Sequence, residues 1–265
     1  MNNRPRKRFG QNFLHDTYII EQIVDAIAPQ ANDRIVEIGP GRGALTLPLL
    51  EHDVDLHAVE IDRDLAARWE QQISRWPKLK VLCADALEVT PEQLFDDQKP
   101  FRLVGNLPYN ISTPLLFHFV NWRHRLTDLH LMLQKEVVDR MCAQPGNKTY
   151  GRLTVMLAPW FEVASLLHIG GDAFTPPPKV DSAFIRLTPH AQAPFPLPDH
   201  QAFRDVVAAG FAMRRKTLRN SLRTLLSTDD MIACDVDPTA RPETLAPDAF
   251  GRLAVALSKQ REQLS

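Results

Sequence analysis

The chain has 265 residues, of which 44% are hydrophobic, so it can bury the core of one large domain or of a large and a small domain. Its 31 basic and 32 acidic side chains leave a formal net charge of −1 at pH 7, which excludes a uniformly basic nucleic-acid-binding protein. Any contact with nucleic acid must therefore come from local basic clusters. Two such clusters occur, at residues 4–8 and at residues 214–223.

The cysteines and the N-terminal sequence predict a cytoplasmic protein. Cys83, Cys142 and Cys234 are odd in number and far apart, which fits a reducing compartment and no disulfide framework. The basic N-terminus leads into Phe9 and Gly10 rather than into an apolar signal segment, and no apolar run is long enough to span a bilayer. We therefore expect no membrane partner. No histidine stands at metal-ligand spacing from a cysteine or an acid, so we also expect no metal.

Strands and helices alternate through the first part of the chain. Short apolar runs predict strands at residues 34–38, 55–60, 80–83, 101–105 and 129–133. Helical spacing, with Asp16 or Thr17 as the first N-cap and Pro29 as a stop, predicts helices at residues 18–27, 44–50, 62–76, 114–120 and 136–143. This alternation is typical of an α/β domain with a mostly parallel sheet.

The pattern changes near residue 188. Residues 189–198 are rich in proline and are interpreted as a linker, and from Asp199 onward the sequence has helical periodicity only. We therefore expect an α/β domain over residues 1–188, which would hold the active site, and a small all-helical domain over residues 199–265.

A glycine or a polar side chain directly follows each of the first four predicted strands. These residues are Gly39, Glu60, Asp85 and Asn106. In a doubly wound sheet, ligands bind beyond the carboxyl ends of the strands, where the strand order reverses. The sequence therefore predicts that all four residues line one crevice.

Two kinds of nucleotide ligand are compatible with a glycine-rich turn followed by an acid. In both, Glu60 could hold a ribose diol. Glu37, two residues before the first glycine, would repel the pyrophosphate of a dinucleotide but would attract a cation. The turn also has the spacing Gly39-x-Gly41-x-Gly43 rather than that of the dinucleotide fingerprint. S-adenosylmethionine, with a sulfonium and an ammonium, is favoured, and Asp85 would accept from its adenine amino group.

The fourth strand leads into Asn106-Leu107-Pro108-Tyr109, an uncharged loop with two acceptors beside a ring. Pro108 fixes its own φ and holds Leu107 extended, so the backbone carbonyls point in set directions. Asn106 Oδ1 and a backbone carbonyl can accept from the exocyclic amino group of a base, and Tyr109 can stack on that base. The alternative for these four residues alone is a strand-to-loop turn with a structural asparagine.

Six segments of the chain carry a resemblance to a known family. They are Gln11-Asn12-Phe13-Leu14, residues 37–46 around the glycines, Glu60-Ile61-Asp62, Asp85-Ala86, residues 106–112 and Phe174-Thr175-Pro176-Pro177-Pro178-Lys179-Val180-Asp181-Ser182. Their order resembles that of the rRNA adenine N6,N6-dimethyltransferases, and in particular that of the bacterial small-subunit branch of this family.

This resemblance implies a Rossmann-like S-adenosylmethionine-dependent methyltransferase domain followed by a small helical domain. It implies that the cofactor is held by Asn12, Leu14, Gly39, Gly41, Glu60, Asp85 and Asn106, and that Asn106, Leu107, Pro108 and Tyr109 form the catalytic loop. The implied substrate is a pair of adjacent adenosines in the 3′-terminal hairpin of 16S rRNA, within the assembling small subunit. The enzyme is expected to act as a monomer.

The two basic clusters are the candidate RNA contacts. They contain Arg6, Lys7, Arg8, Arg215, Lys216, Arg219 and Arg223. Phe211, Leu218, Leu222 and Leu225 have helical spacing, which predicts one helix that buries this face and presents Arg215, Arg219 and Arg223 as an outward stripe. The alternatives are a solvated N-terminal tail and a solvated basic helix face.

Three rival functions share part of this pattern. An Erm-type enzyme would have the same catalytic motifs but modify large-subunit rRNA, and the leucine at position 107 and the start Arg6–Leu14 favour the small-subunit enzyme. A DNA adenine methyltransferase is disfavoured because no target-recognition insert is present. A non-catalytic assembly factor would bind rRNA and keep the site only as a scaffold.

Overall fold

The computed structural model describes residues 12–197, 199–213 and 215–264, which group into two compact units. The first unit contains the described residues up to Val138 together with Val163–Pro189. The second contains Asp139–Glu162 and the described residues from His190 onward. Residues 139–162, which the sequence analysis assigned to the first domain, thus group with the helical unit. The boundaries of independently folding domains stay a prediction.

A seven-stranded sheet forms the centre of the first unit. Its strands are β2 (Arg34–Ile38), β3 (Asp55–Glu60), β4 (Leu79–Cys83), β5 (Phe101–Asn106), β6 (Leu126–Gln134), β7 (Phe161–Ile169) and β9 (Ser182–Pro189), in the spatial order β4-β3-β2-β5-β6-β9-β7. Strands β2 to β6 pair in parallel, and β9 pairs antiparallel with β6. The predicted α/β fold with a mostly parallel sheet and all five predicted strands are confirmed.

The central strands are apolar on both faces, as a parallel sheet covered on both sides requires. Ile35 and Val36 in β2, and Leu56 and Ala58 in β3, have no exposed surface. Strand β2 lies between β3 and β5, so the chain first runs outward to β4 and then returns past β2 to begin β5. The carboxyl ends of β2 and β5 therefore form the point where the strand order reverses, the place at which such sheets bind ligands.

Helices cover the sheet between the strands. They are α1 (Thr17–Ile27), α2 (Thr46–Glu51), α3 (Arg63–Glu70), α4 (Pro91–Leu94) and α5 (Ser112–Trp122), and α6 (Lys135–Met141) leads into the second unit. Asp16 is the N-cap of α1, and its side chain accepts from the backbone N–H of Ile19 at 3.1 Å. Helix α3 is shorter than predicted, because beyond Glu70 the backbone forms turns with bonds such as Gln72 N to Trp69 O.

A second, two-stranded sheet pairs β1 (Phe13–Leu14) with β8 (Phe174–Thr175) in antiparallel fashion. The backbone N–H of His15 also donates to the carbonyl of Ala173 at 3.0 Å. These bonds connect two of the six segments that carry the family resemblance. Both strands were absent from the sequence prediction, since two residues carry no detectable period.

The second unit is helical, as predicted for the C-terminal part of the chain. Its helices are α7 (Arg152–Leu157), α8 (His200–Ala212), α9 (Leu218–Ser221), α10 (Thr228–Ala233) and α11 (Pro247–Leu264). The ring of Phe211 stacks on that of Phe250 at 5.5 Å, and the hydroxyl of Tyr150 donates to the Leu245 carbonyl at 2.7 Å. Among the helices of the described residues, none is both long enough and apolar enough to cross a membrane.

The predicted single helix from Phe211 to Leu225 is wrong. Helix α8 ends at Ala212, and Arg215 has a φ of 70°, in the left-handed region that a continuing helix excludes. Helix α9 starts separately at Leu218, whose N–H donates to the Ala240 carbonyl instead of to the preceding turn. The three arginines therefore do not form a stripe along one helix.

Candidate functional site

A cavity of about 340 Å³ opens at the carboxyl ends of β2, β3 and β5 in the first unit. Its lining includes every residue that the sequence analysis assigned to the cofactor and to the catalytic loop. These are Asn12, Leu14, Gly39, Gly41, Glu60, Asp85, Asn106, Leu107, Pro108 and Tyr109. Residues from five separate segments thus meet at the point where the strand order reverses.

A side chain at Gly41, in the turn after β2, would be strained and tightly packed. Gly41 has a φ of 53°, and a Cβ built on it would lie 3.3 Å from the ring of Phe13. Its N–H donates to Glu60 Oε2 at 3.1 Å, and its carbonyl accepts from the indole N–H of Trp69 at 3.0 Å. The guanidinium of Arg42 lies over the same Phe13 ring, 4.3 Å from its centre. The turn therefore contacts both Glu60 at the end of β3 and Phe13 in the N-terminal segment.

Glu60, the last residue of β3, is held in place by two backbone donors. Besides the bond from Gly41, the N–H of Asp62 donates to Glu60 Oε1 at 2.9 Å. Burial raises the pKa of Glu60, and these backbone bonds oppose that shift. Each carboxylate oxygen has lone pairs beyond the one used, so the side chain can still accept from hydroxyl groups of a ligand.

Glu37 is a second buried acid in the cavity wall, with only 2% of its surface exposed. Burial raises its pKa to about 8, the nearby Glu60 charge adds to this, and the Thr46 hydroxyl lowers it. Among the described residues, Glu37 Oε2 has no hydrogen-bond partner. A buried acceptor without a partner is costly, and a cationic ligand would relieve that cost.

Asp85 lies in the turn directly after β4 and lines the cavity. Its Oδ1 accepts from the backbone N–H of Leu87 at 2.9 Å, which fixes the turn after β4. The same side chain lines the cavity, and Oδ2 remains available to accept from a ligand amino group.

Asn106 ends β5 with its amide in a defined orientation. Its Nδ2 donates to the carbonyl of Asn12 at 3.2 Å, so Oδ1 is left as the acceptor. The next N–H, of Leu107, donates to the carbonyl of Met132 on β6 at 3.2 Å. Within the described part of the chain, no backbone N–H donates to the Leu107 carbonyl. Both acceptors that the sequence predicted are therefore available.

Tyr109 is half-buried and lines the cavity. Its hydroxyl is 2.6 Å from Ser182 Oγ, and its carbonyl accepts from the Ser112 hydroxyl at 3.2 Å. Burial raises the pKa of Tyr109, the charge of Asp181 adds to the shift, and the Ser182 hydroxyl opposes it. Ser182 belongs to the proline-rich segment quoted above, but no role was predicted for it.

The predicted RNA contacts fall into two groups. Arg6, Lys7 and Arg8 lie outside the described residues. Arg215, Lys216, Arg219 and Arg223 are all exposed in the second unit, on either side of and within α9. In the described ranges, no three or more histidine, cysteine, aspartate or glutamate side chains form a group that could hold a metal ion.

The fold and the cavity together define a Rossmann-like methyltransferase. Two solved structures share this fold. A dimethyladenosine transferase from Plasmodium falciparum superposes with a TM-score of 0.81 at 24% identity, covering 94% of this chain and 98% of that one. The 23S rRNA methyltransferase ErmE superposes with a TM-score of 0.73 at 26% identity, covering 93% and 100% of the two chains.

Sequence comparison gives the family. Residues 2–257 match the family model described as ribosomal RNA adenine dimethylase. A ribosomal RNA small subunit methyltransferase A from Laribacter hongkongensis is 54% identical over 246 residues, which is 93% of each chain. The chain belongs to the ribosomal RNA adenine dimethylase family, a family of methyltransferases.

Because Glu37 is buried, the free energy of unfolding should depend on pH. Because the folded-state pKa of Glu37 is about 8 and the ordinary value is 4.5, the folded state binds more protons than the unfolded state between these values. Its contribution to stability is therefore lost as the pH rises through this window, by at most about 1.4 kcal/mol per pH unit. Glu37→Gln should flatten the decline in the free energy of unfolding, measured by urea denaturation across the window. The exposed control Glu51→Gln should keep the parent slope, and parallel curves for parent and Glu37→Gln would contradict the assignment.

Proposed function

We propose that the protein transfers methyl groups from S-adenosylmethionine to the N6 of two adjacent adenosines in the 3′-terminal hairpin of 16S rRNA, within the assembling small subunit. The observation that carries this proposal is the fixed amide of Asn106, whose Nδ2 is occupied by Asn12 while Oδ1 remains an acceptor beside the cavity. The family's description and the name of the Laribacter hongkongensis relative support the same reaction and the same subunit.

The cavity suits a cofactor that is positively charged and carries a ribose and an adenine. Glu60 would accept from the ribose hydroxyls, Asp85 Oδ2 from the adenine amino group, and Glu37 would face the cationic end. Asn12 and Leu14 would close the N-terminal side, with Gly39 and Gly41 at the turn. When bound, S-adenosylmethionine supplies a methyl group on a sulfonium that is already an activated leaving group.

The catalytic loop would prepare the acceptor nitrogen. The N6 lone pair of adenine is delocalised into the ring, so the free base is a poor nucleophile. Asn106 Oδ1 and the Leu107 carbonyl, by accepting from the two N6 hydrogens, would favour a pyramidal nitrogen with an available lone pair. Positioning in line with the methyl group is then the main contribution of the protein, and such positioning can lower a barrier by several kcal/mol.

This mechanism needs no strong base, because the N6 proton becomes acidic only after the methyl group has transferred. The loop fits that requirement, since Asn106, Leu107 and Pro108 are uncharged and the raised pKa of Tyr109 keeps its phenol neutral. Tyr109 would serve as a stacking surface for a base taken out of its hairpin, a contact that contributes about 1–3 kcal/mol.

The nearest alternative is methylation of large-subunit rRNA, which the likeness to ErmE favours. The relative named for the small subunit is 54% identical to this chain, however, against 26% for ErmE, so we give preference to the small subunit. A non-catalytic assembly factor would bind subunits without turnover. The monomeric state and the cytoplasmic location stay predictions of the sequence.

Glu60→Ala should weaken the binding of S-adenosylmethionine by roughly ten- to a hundredfold, since hydrogen bonds to a charged group contribute about 1.5–3 kcal/mol. Isothermal calorimetry measures this loss, and thermal unfolding checks the fold, because Glu60 also accepts from two backbone N–H groups. Glu60→Gln, which keeps one acceptor oxygen, should lose less, and the exposed control Glu70→Ala should bind as the parent does. Unchanged affinity in Glu60→Ala would remove Glu60 from the site.

Asn106→Ala should nearly abolish methyl transfer while rRNA binding persists. Its contact with N6 strengthens as the nitrogen rehybridises, and the loss of such an interaction lowers kcat and kcat/KM together. Steady-state transfer of labelled methyl to immature small subunits measures the effect, with Asn121→Ala on the exposed side of α5 as the matched control. A fall in turnover of less than about threefold at saturating substrates would refute the acceptor role.

Changing Arg215, Arg219 and Arg223 together to Ala should weaken the binding of small subunits. We propose that these exposed cations hold rRNA phosphates, although they lie around α9 and not along one helix. The slope of log affinity against log salt should fall by roughly 0.7–0.9 per lost phosphate contact, and cofactor affinity should not change. The control triple removes exposed arginines of the first unit, Arg63, Arg68 and Arg75. Equal salt slopes for parent and the Arg215 triple would mean that the cluster does not touch RNA.

A further inference from the structure

One short hydrogen bond connects the catalytic loop to a distant part of the chain. The Tyr109 hydroxyl and Ser182 Oγ lie 2.6 Å apart, although 73 residues separate them in sequence. Ser182 has no exposed surface, and Tyr109 is half-buried, so the bond is partly buried. The cofactor and acceptor roles described above do not use Ser182.

Ser182 has a fixed position because it belongs to the central sheet. It is the first residue of β9 and pairs with Gln134 on β6, the strand that also pairs with Asn106 through Met132. The residue before it is held as well, since the backbone N–H of Lys135 donates to the Asp181 carbonyl at 2.9 Å. Ser182 on β9 and Asn106 on β5 therefore both lie on strands that pair with β6 in one sheet.

Tyr109 lies in a loop, but it is held at both ends. The Ser112 hydroxyl binds its carbonyl, and Ser182 binds its phenol oxygen. A ring held at the backbone and at the para position cannot rotate away from the cavity without breaking the hydrogen bond to Ser182. A catalytic site gains rate when such groups are already oriented before the substrate arrives.

We propose that Ser182 is a positioning residue for methyl transfer, which holds the Tyr109 ring at the angle required to stack on the target adenine. This inference rests on the proposed function of the site. It gives the proline-rich segment that ends at Ser182 a role in orienting the acceptor base.

The charges around this bond agree with a stacking role. Burial and the charge of Asp181 raise the pKa of Tyr109, so the phenol keeps its proton, and either hydroxyl can be the donor in the bond with Ser182. Asp181 directs its carboxylate to His168 Nε2 at 3.1 Å, on the exposed side. Among the described hydrogen bonds, neither the Asp181 nor the His168 side chain bonds to the phenol.

The test is a double-mutant cycle with Ser182→Ala, Tyr109→Phe and the combined variant, measured as kcat/KM for immature small subunits. Each single change should lower kcat/KM by roughly five- to tenfold, the effect of one lost hydrogen bond. The combined variant should lose no more than about tenfold, because both single changes remove the same interaction. The affinity for S-adenosylmethionine should stay within about twofold in all three. Ser165→Ala, at an exposed serine of β7, is the matched control.

Three results would overturn the proposal. They are an unchanged kcat/KM in Ser182→Ala, losses that multiply in the combined variant, or a parallel loss of cofactor affinity and thermal stability that marks Ser182 as merely structural. Crystal structures of parent and Ser182→Ala separate this test from the proposed function. The Tyr109 ring should occupy one orientation in the parent and several in the variant, even if the parent transferred no methyl group. The same single ring position in both would also refute the proposal.

Discussion

The parallel pairing of β2 with β5 is the constraint on which the site depends. It runs from Ile35 beside Arg102 to Ile38 beside Gly105, and it places the turn after β2 next to the loop after β5. This approach tolerates no side chain at Gly105, where a Cβ would lie 2.8 Å from the Ile38 carbonyl oxygen. Because the strand order reverses between these strands, their turns separate and leave a cavity. The glycine turn after β2 and the Asn106–Tyr109 loop after β5 thus follow the carboxyl ends of one parallel strand pair.

Two buried carboxyl groups then determine what this cavity can accept. Glu37 and Glu60 both have raised pKa values because the sheet interior excludes water. The negative charge of a phosphate would raise these pKa values further, whereas a cationic ligand would favour the ionised carboxylates. Burial elsewhere has a different outcome: it lowers the pKa of His57 to about 4, and the neutral ring stacks on Phe95 at 4.1 Å. Perturbed groups at the ends of strands therefore indicate the site, and a perturbed histidine inside a strand indicates packing.

The sequence was sufficient for residues whose positions follow from a single strand. Gly39, Glu60 and Asn106 each end an apolar run, and the carboxyl ends of parallel strands lie at one edge. The periodicity of the sequence does not predict contacts between distant segments, such as the contact between the Tyr109 and Ser182 hydroxyls. The same holds for the break before α9, because the apolar spacing continues through it while a carbonyl from a distant turn, that of Ala240, takes the N–H of Leu218. Local patterns thus predicted which strand-end residues line the cavity, but not the contacts that hold them in place.

The central claim is that this cavity methylates adenine N6 in small-subunit rRNA. Incubation of the protein with methyl-labelled S-adenosylmethionine and separate immature small and large subunits tests it most directly, with the modified nucleosides identified by mass spectrometry. We predict N6,N6-dimethyladenosine at two adjacent positions near the 3′ end of the small-subunit rRNA, and no label on the large subunit. Label on large-subunit rRNA, or subunit binding without any transfer, would contradict it.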